Sequence, residues 1–164
     1  MDRRVWILTI AAFVVGTVEL VIAGIIEMIA QDLQVSVAAA GQLVTVYSLV
    51  FALGSPIIIT LTANMERRRL LIIAMCVFFA GNILSIISPN FTLLLISRVV
   101  LAASCSVIII LSITLAASIV PPALKGRAIG IIFMGLSAAL MLGVPLGTWI
   151  GDRWGWRMTF VLIA

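Results

Sequence analysis

Two charged residues, Glu19 and Arg98, interrupt long apolar stretches of this sequence and are its strongest candidates for chemistry. A charged side chain inside a membrane span is costly, so it usually faces a cavity or a partner. A carboxyl group whose distance to a cation changes between two conformations can bind and release a proton. Arginine stays charged, so Arg98 can modulate such an exchange but cannot carry the proton. The alternatives are a static buried ion pair, or an Arg98 side chain that reaches out to the lipid headgroups.

The composition indicates an integral membrane protein. Of the 164 residues, 64% are hydrophobic and 10% are charged, and the mean hydropathy is +1.35. A soluble domain has about 25% charged residues. The net charge of +4 comes from basic clusters between apolar runs, which favours a topology signal over nucleic-acid binding. The sequence has no histidine, so we expect no metal and no cofactor, and we expect Cys76 and Cys105 to be small buried side chains.

Five apolar runs are long enough to cross a bilayer as helices, which takes about 20 residues each. Residues 1–164 are therefore expected to form an all-α membrane domain, a partial six-helix bundle with five complete transmembrane helices and the start of a sixth. The predicted spans are approximately 5–26, 41–61, 70–87, 91–120 and 128–150, with the start of the sixth at 158–164.

The basic residues predict the orientation of this bundle. The connections are short, so the chain zigzags across the membrane, and seven basic residues fall on one side against two on the other. The seven are Arg3, Arg4, Arg67, Arg68, Arg69, Lys125 and Arg127, and the two are Arg153 and Arg157. This asymmetry places the N-terminus in the cytoplasm.

The predicted orientation gives both interior charges a similar depth. Glu19 follows Val5 by fourteen residues, which is about 21 Å from the cytoplasmic edge at 1.5 Å per residue. Arg98 follows Phe91 by seven residues, which is about 10 Å from the outer edge. In a hydrocarbon core about 30 Å thick, both lie about 9–10 Å below the outer surface. The two side chains can therefore meet if the first and fourth helices are neighbours.

Small residues recur at every fourth position of the fifth run and form what we call the small-residue ridge. Its members are Gly135, Ala139, Gly143, Gly147 and Gly151. Steps of four form one slanted row on a helix, and in lipid such a row lets another helix approach closely. Pro145 adds a kink or a loosened turn. The pattern predicts a helix-packing interface, which is either one that moves or an ordinary contact of a membrane bundle.

Weaker polar marks lie on the second helix. Gln42, Thr45, Tyr47 and Ser48 could line a cavity or could hydrogen-bond to neighbouring helices.

The fifth run, followed by Gly155-Trp-Arg-Met-Thr-Phe160, resembles the major facilitator superfamily. Its twelve-helix drug:proton antiporter branch has a Gly/Pro-rich fifth helix and then a Gly-Trp-Arg-x-x-Phe entry to the sixth. Residues 15–24 resemble the first helix of the arabinose-efflux-permease-like subgroup. Ser88-Pro-Asn-Phe91 with Arg98, and the Pro-Pro-x-x-x-Gly-Arg pattern within residues 120–128, resemble its third loop, fourth-helix arginine and fourth loop.

The second loop departs from the family pattern. Ile59 and Ala63 stand where the family usually has Gly and Asp, and only Glu66 supplies an acid before the basic cluster. The resemblance makes a candidate conformational loop of Glu66, Arg67, Arg68 and Arg69. Either Glu66 replaces the usual Asp there, or the conformational latch is absent.

The resemblance implies proton-coupled efflux, an antiport that proceeds by alternating access. The substrate would be a small organic compound such as a drug, a sugar or a nucleoside, exchanged for protons at Glu19 with Arg98 nearby. It also implies that the first and fourth helices line a central cavity, and that the small-residue ridge meets the C-terminal helical half. The expected setting is the inner membrane of a bacterium. The expected partners are the substrate, protons, the lipid bilayer and that missing half, with no nucleic acid.

The length of the sequence suggests a rival hypothesis. Such transporters have two six-helix halves, and this sequence stops inside an apolar run of the first. We therefore expect a fragment that does not transport by itself. The rival is a non-transporting assembly partner or truncated half-transporter that docks to another helical half through the small-residue ridge. No polar catalytic cluster or nucleotide-binding loop supports an enzyme, and no filter signature or charge ring supports a channel.

Overall fold

The computed structural model describes residues 3–163, and these form helices joined by short turns, as the run lengths predict. A 3₁₀ turn, Pro122–Leu124, precedes the helix that begins at Lys125, and a π-helical turn, Ala139–Gly143, joins that helix to the next. The helices are α1 Arg3–Asp32, α2 Val37–Leu61, α3 Arg67–Ile86, α4 Phe91–Ser118, α5 Lys125–Ala138, α6 Val144–Trp154 and α7 Trp156–Ile163.

Within residues 3–163, five helical segments are long and apolar enough to cross a membrane, which confirms the predicted fold class. They are α1, α2, α3, α4 and the continuous segment Pro122–Trp154, which we call the fifth span. Helix α7 is the start of the sixth transmembrane helix. Ala164, the last residue of the segment 158–164 predicted for that start, lies outside the described residues. Helix α1 continues to Asp32, past its predicted end at residue 26. Helix α2 begins before residue 41, because the Ser36 hydroxyl caps it by accepting a hydrogen bond from the Ala39 N–H at 3.1 Å.

Helices α1 and α4 form the centre of the bundle. Helix α1 packs against α2, α4, the fifth span and α7, while α4 packs against α1, α2, α3 and α5. Val15, Val18, Leu101 and Ile108 are fully buried where the central helices meet. The predicted burial of the cysteines is right for Cys105 but wrong for Cys76, which is exposed because its face of α3 points away from the bundle.

Helix α1 covers the small-residue ridge. All five of its members are buried, whereas Pro145 is exposed on the opposite face. The expectation that the ridge meets a second helical half is therefore wrong, and the rival hypothesis loses its docking surface. The contacts recur at steps of eight, four and four residues along both helices: Gly135 faces Thr9, Gly143 faces Thr17, Gly147 faces Val21 and Gly151 faces Ile25.

The loosened turn that Pro145 predicts is the π-helical turn Ala139–Gly143. Proline has no N–H to donate, and its ring crowds the carbonyl four residues earlier. A wider turn accommodates both effects, and here the Val144 N–H reaches back to the Ala139 carbonyl. The fifth span thereby stays continuous past its proline.

Polar contacts at one end of the bundle hold the start of α7 in place. Gly155, at φ 88°, allows the turn between α6 and α7. Trp156 Nε1 donates to Asp32 Oδ2 at 3.0 Å, and Arg157 Nη1 forms an ion pair with the same oxygen at 2.6 Å. Arg157 Nη2 also donates to the Ser88 carbonyl at 3.0 Å. These bonds join α7 to the end of α1 and to the loop before α4, and we call the set of three the Asp32 clamp.

Candidate functional site

A cavity of about 190 Å³ opens between α1, α2 and α4, and both Glu19 and Arg98 line it. The two interior charges therefore belong to neighbouring helices, which is the condition for contact between two residues at the same depth. The remaining lining comes from Leu20, Ile22 and Ala23 on α1 and from Leu43, Val44, Tyr47 and Ser48 on α2.

Arg98 is enclosed in the protein, with 1% of its surface exposed. Its Nη1 donates to the Val18 carbonyl at 3.4 Å, and its guanidinium carbon lies 4.8 Å from the centre of the Phe160 ring, which is a cation–π contact. Its Nε and Nη2 have no hydrogen-bond partner within residues 3–163. Unpaired charged donors are costly when buried, so this site suits an anionic or hydrogen-bond-accepting group.

Glu19 lies on the wall of the same cavity and is half-buried. Between the side chains that the structure describes, no ion pair within 4.0 Å joins Glu19 to Arg98. The static ion pair is thus not formed in this conformation, and Arg98 does not reach the headgroups either. The structure brings the acid and the cation to one cavity and leaves them apart.

The second helix adds one further polar group that has no partner. Tyr47 is 3% exposed, and its hydroxyl has no hydrogen bond to any described residue. Ser48 also lines the cavity, whereas Gln42 and Thr45 are exposed and lie outside the lining. The cavity therefore presents one acid, one cation and two hydroxyls on otherwise apolar walls, the arrangement typical of small-molecule sites.

Phe160 belongs to this site, and sequence reasoning did not place it there. Its side chain is fully buried, and its ring supports the Arg98 guanidinium. It also meets the Trp156 ring edge to face, at 6.0 Å between centroids. The signal was present in Gly-Trp-Arg-x-x-Phe: Phe160 follows Trp156 by one helical turn, so both face the bundle.

The candidate conformational loop lies apart from this cavity, at the start of α3. Glu66 precedes the first turn of α3 without a side-chain capping bond. Within residues 3–163 no ion pair joins Glu66 to Arg67, Arg68 or Arg69, and all four side chains are exposed.

Comparison with known proteins matches residues 8–164 to the Major Facilitator Superfamily. The chain is 40% identical over 161 residues to the uncharacterized MFS-type transporter YbcL of Bacillus subtilis strain 168, covering 98% of this chain and 41% of that protein. A second B. subtilis relative, the uncharacterized MFS-type transporter YtbD, is 40% identical over 156 residues, covering 95% and 39%. The inner membrane transport protein YdhP of Escherichia coli K12 is 38% identical over 157 residues, covering 96% and 40%. The chain thus spans about 40% of the length of these curated relatives.

Proposed function

We propose that this chain, which belongs to the Major Facilitator Superfamily, is the N-terminal part of a proton-coupled efflux transporter. The members of this family are multi-pass membrane transporters and not enzymes. The substrate is a small organic compound such as a drug, a sugar or a nucleoside, exchanged for protons. The membrane is the inner membrane of a bacterium, which agrees with the name of the E. coli relative, inner membrane transport protein YdhP.

One observation carries the proposal: Glu19 and Arg98 line the same cavity without touching, while two donors of Arg98 stay unpaired. A carboxylate that moves onto these donors is stabilised in its charged form, and one that moves away again takes up a proton. The effect is large because attraction between charges strengthens where water is excluded. A local change in the distance between the Glu19 carboxylate and the Arg98 guanidinium is therefore enough to couple conformation to proton binding.

The substrate shares this cavity in the proposed mechanism. The apolar walls bind an organic molecule, while the Tyr47 and Ser48 hydroxyls orient its polar groups. Alternating access then exposes the cavity to the two sides of the membrane in turn, through rocking of this bundle against a second helical half.

The test is proton-driven flux by the full-length protein in vesicles, with Glu19→Gln against the unchanged protein. The amide keeps the size of the side chain but cannot carry the proton, so flux driven by a pH gradient should fall to that of protein-free vesicles. Exchange of labelled for unlabelled substrate without a gradient should persist, because that reaction needs no net proton movement.

Glu27→Gln is the matched control, because Glu27 is an exposed acid of the same helix. It should leave both reactions unchanged. Proton coupling that survives in Glu19→Gln would refute the assignment of Glu19, and loss of flux in both variants would show an effect of net charge on α1 instead.

A further inference from the structure

A second cavity, of about 320 Å³, lies between α2 and α3 with α4 as its floor. Helices α2 and α3 both pack against α4 and make little contact with each other, so a groove separates them. We call it the α2–α3 groove. Its walls include Ile58 on α2 with Ile73 and Val77 on α3, and Ala103 lies on its floor.

The groove offers no free polar group to a ligand. Two hydroxyls line it, and each is satisfied within its own helix. Thr62 donates to the Ile58 carbonyl at 2.6 Å, and Ser104 donates to the Leu101 carbonyl at 2.9 Å. A molecule that binds here must therefore present apolar surface, unlike the substrate of the Glu19 cavity.

The size of the groove favours a slender occupant. A helix is about 10–12 Å across with its side chains, so less than one turn of it would fill 320 Å³. A hydrocarbon chain is much narrower and can lie lengthwise between α2 and α3.

A cluster of positively charged side chains lies at one end of the α2–α3 groove. Met65 and Leu70 line that end, and the first turn of α3 between them carries Arg67, Arg68 and Arg69. All three arginines are exposed, and none pairs with a carboxylate in the described part of the chain. Exposed basic clusters at the end of a membrane helix attract anionic lipids.

We propose that the α2–α3 groove binds one acyl chain of an anionic phospholipid, whose phosphate lies on Arg67, Arg68 and Arg69. The apolar walls select the tail and the arginines select the head. This lipid site is separate from the Glu19 cavity, so lipid binding here requires neither proton coupling nor the transported substrate.

The headgroup contact is tested by native mass spectrometry of the full-length protein after equilibration in vesicles of equal parts phosphatidylglycerol and phosphatidylcholine. The unchanged protein should retain phosphatidylglycerol preferentially. The double variant Arg67→Gln/Arg68→Gln should lower that preference by roughly tenfold or more. The matched control is Lys125→Gln/Arg127→Gln, which removes two exposed charges from the first turn of α5 and should leave the preference unchanged. An equal loss in both variants would overturn the proposal, as would displacement of the lipid by inorganic phosphate.

The acyl-chain contact is tested with two neighbouring residues of α3. Ile73 and Ile72 are 42% and 55% exposed, but of the two only Ile73 lines the groove. The measured quantity is the tryptophan fluorescence of Ile73→Trp minus that of the unchanged protein. Phosphatidylglycerol with brominated acyl chains should quench this difference more strongly than brominated phosphatidylcholine does. In Ile72→Trp, whose side chain lies outside the α2–α3 groove, the two lipids should quench equally. Equal quenching in Ile73→Trp, or no quenching there because a protein segment fills the groove, would overturn the proposal. This readout needs no destabilising substitution in the core.

Discussion

Arg98 combines complete burial with two unpaired donors, although buried charges are normally paired or hydrogen-bonded. The Val18 carbonyl and the Phe160 ring satisfy the guanidinium only in part. A residue kept for stability would be better balanced, because an unsatisfied buried group costs about 1–3 kcal/mol. Two unpaired donors are expected at a site whose partner, a carboxylate or a substrate, binds only during part of the transport cycle.

Arg98→Met tests this interpretation, because methionine keeps an unbranched apolar stem and lacks the charged guanidinium group. Arg98 has no ion-pair partner among the described side chains, so replacing it by an apolar side chain removes the cost of burying its charge and leaves no opposite charge unpaired. The melting temperature of the purified full-length protein should therefore be unchanged or raised, while pH-driven flux is lost. The control is Arg153→Met, which removes an exposed arginine stacked on Trp149 and should affect neither quantity. A fall of several degrees for Arg98→Met alone would assign Arg98 a structural role.

At the scale of the element, the small-residue ridge makes the contact between α1 and the fifth span possible. An added Cβ at Gly135 would lie 2.6 Å from the Thr9 carbonyl oxygen, which is backbone and cannot rotate away. At Gly130, on an exposed face of the same helix α5, an added Cβ would meet nothing within 4 Å. The two glycines thus differ in packing while sharing their helix.

Gly135→Ala should destabilise the protein by about 1–3 kcal/mol, the usual cost of overpacking. Gly130→Ala should be neutral or stabilising by up to about 1 kcal/mol, because alanine is the better helix former. Thermal unfolding of both variants in the same detergent measures the difference. Equal effects would mean that the close approach of α1 at Gly135 is absent in the membrane.

The same ridge shows how far sequence reasoning reaches. A period of four fixes which face of a helix packs closely, and this face is buried. Periodicity holds no information about which helix covers it, so α1 was not foreseen as the partner. Depth along the first and fourth runs gave Glu19 and Arg98 a common level, because rise per residue is constant. Phe160 completes the site through tertiary packing of α7, which distances along one helix do not reveal.

In the molecule as a whole, α1 is joined to the fifth span by the small-residue ridge and to α7 by the Asp32 clamp. Tight packing and polar bonds on two sides favour movement of these helices as one body. Rocking of such a body against a second half leaves its internal contacts intact, which is the motion that alternating access requires. In the proposed mechanism, the adjustment between Glu19 and Arg98 is then a local one within a bundle that moves as a unit.

The orientation of this bundle is tested by single cysteines at the two ends of α3. Ala63 and Pro89 are exposed in the loops before and after this helix. In a background with Cys76→Ala and Cys105→Ala, a membrane-impermeant maleimide should label Pro89→Cys in intact cells. It should label Ala63→Cys only after permeabilisation, because the arginines that follow residue 63 mark the cytoplasmic side. The reverse labelling pattern would show that the bundle has the opposite orientation in the membrane. Glu19 and Arg98 would then lie in the inner half of the membrane instead of the outer half.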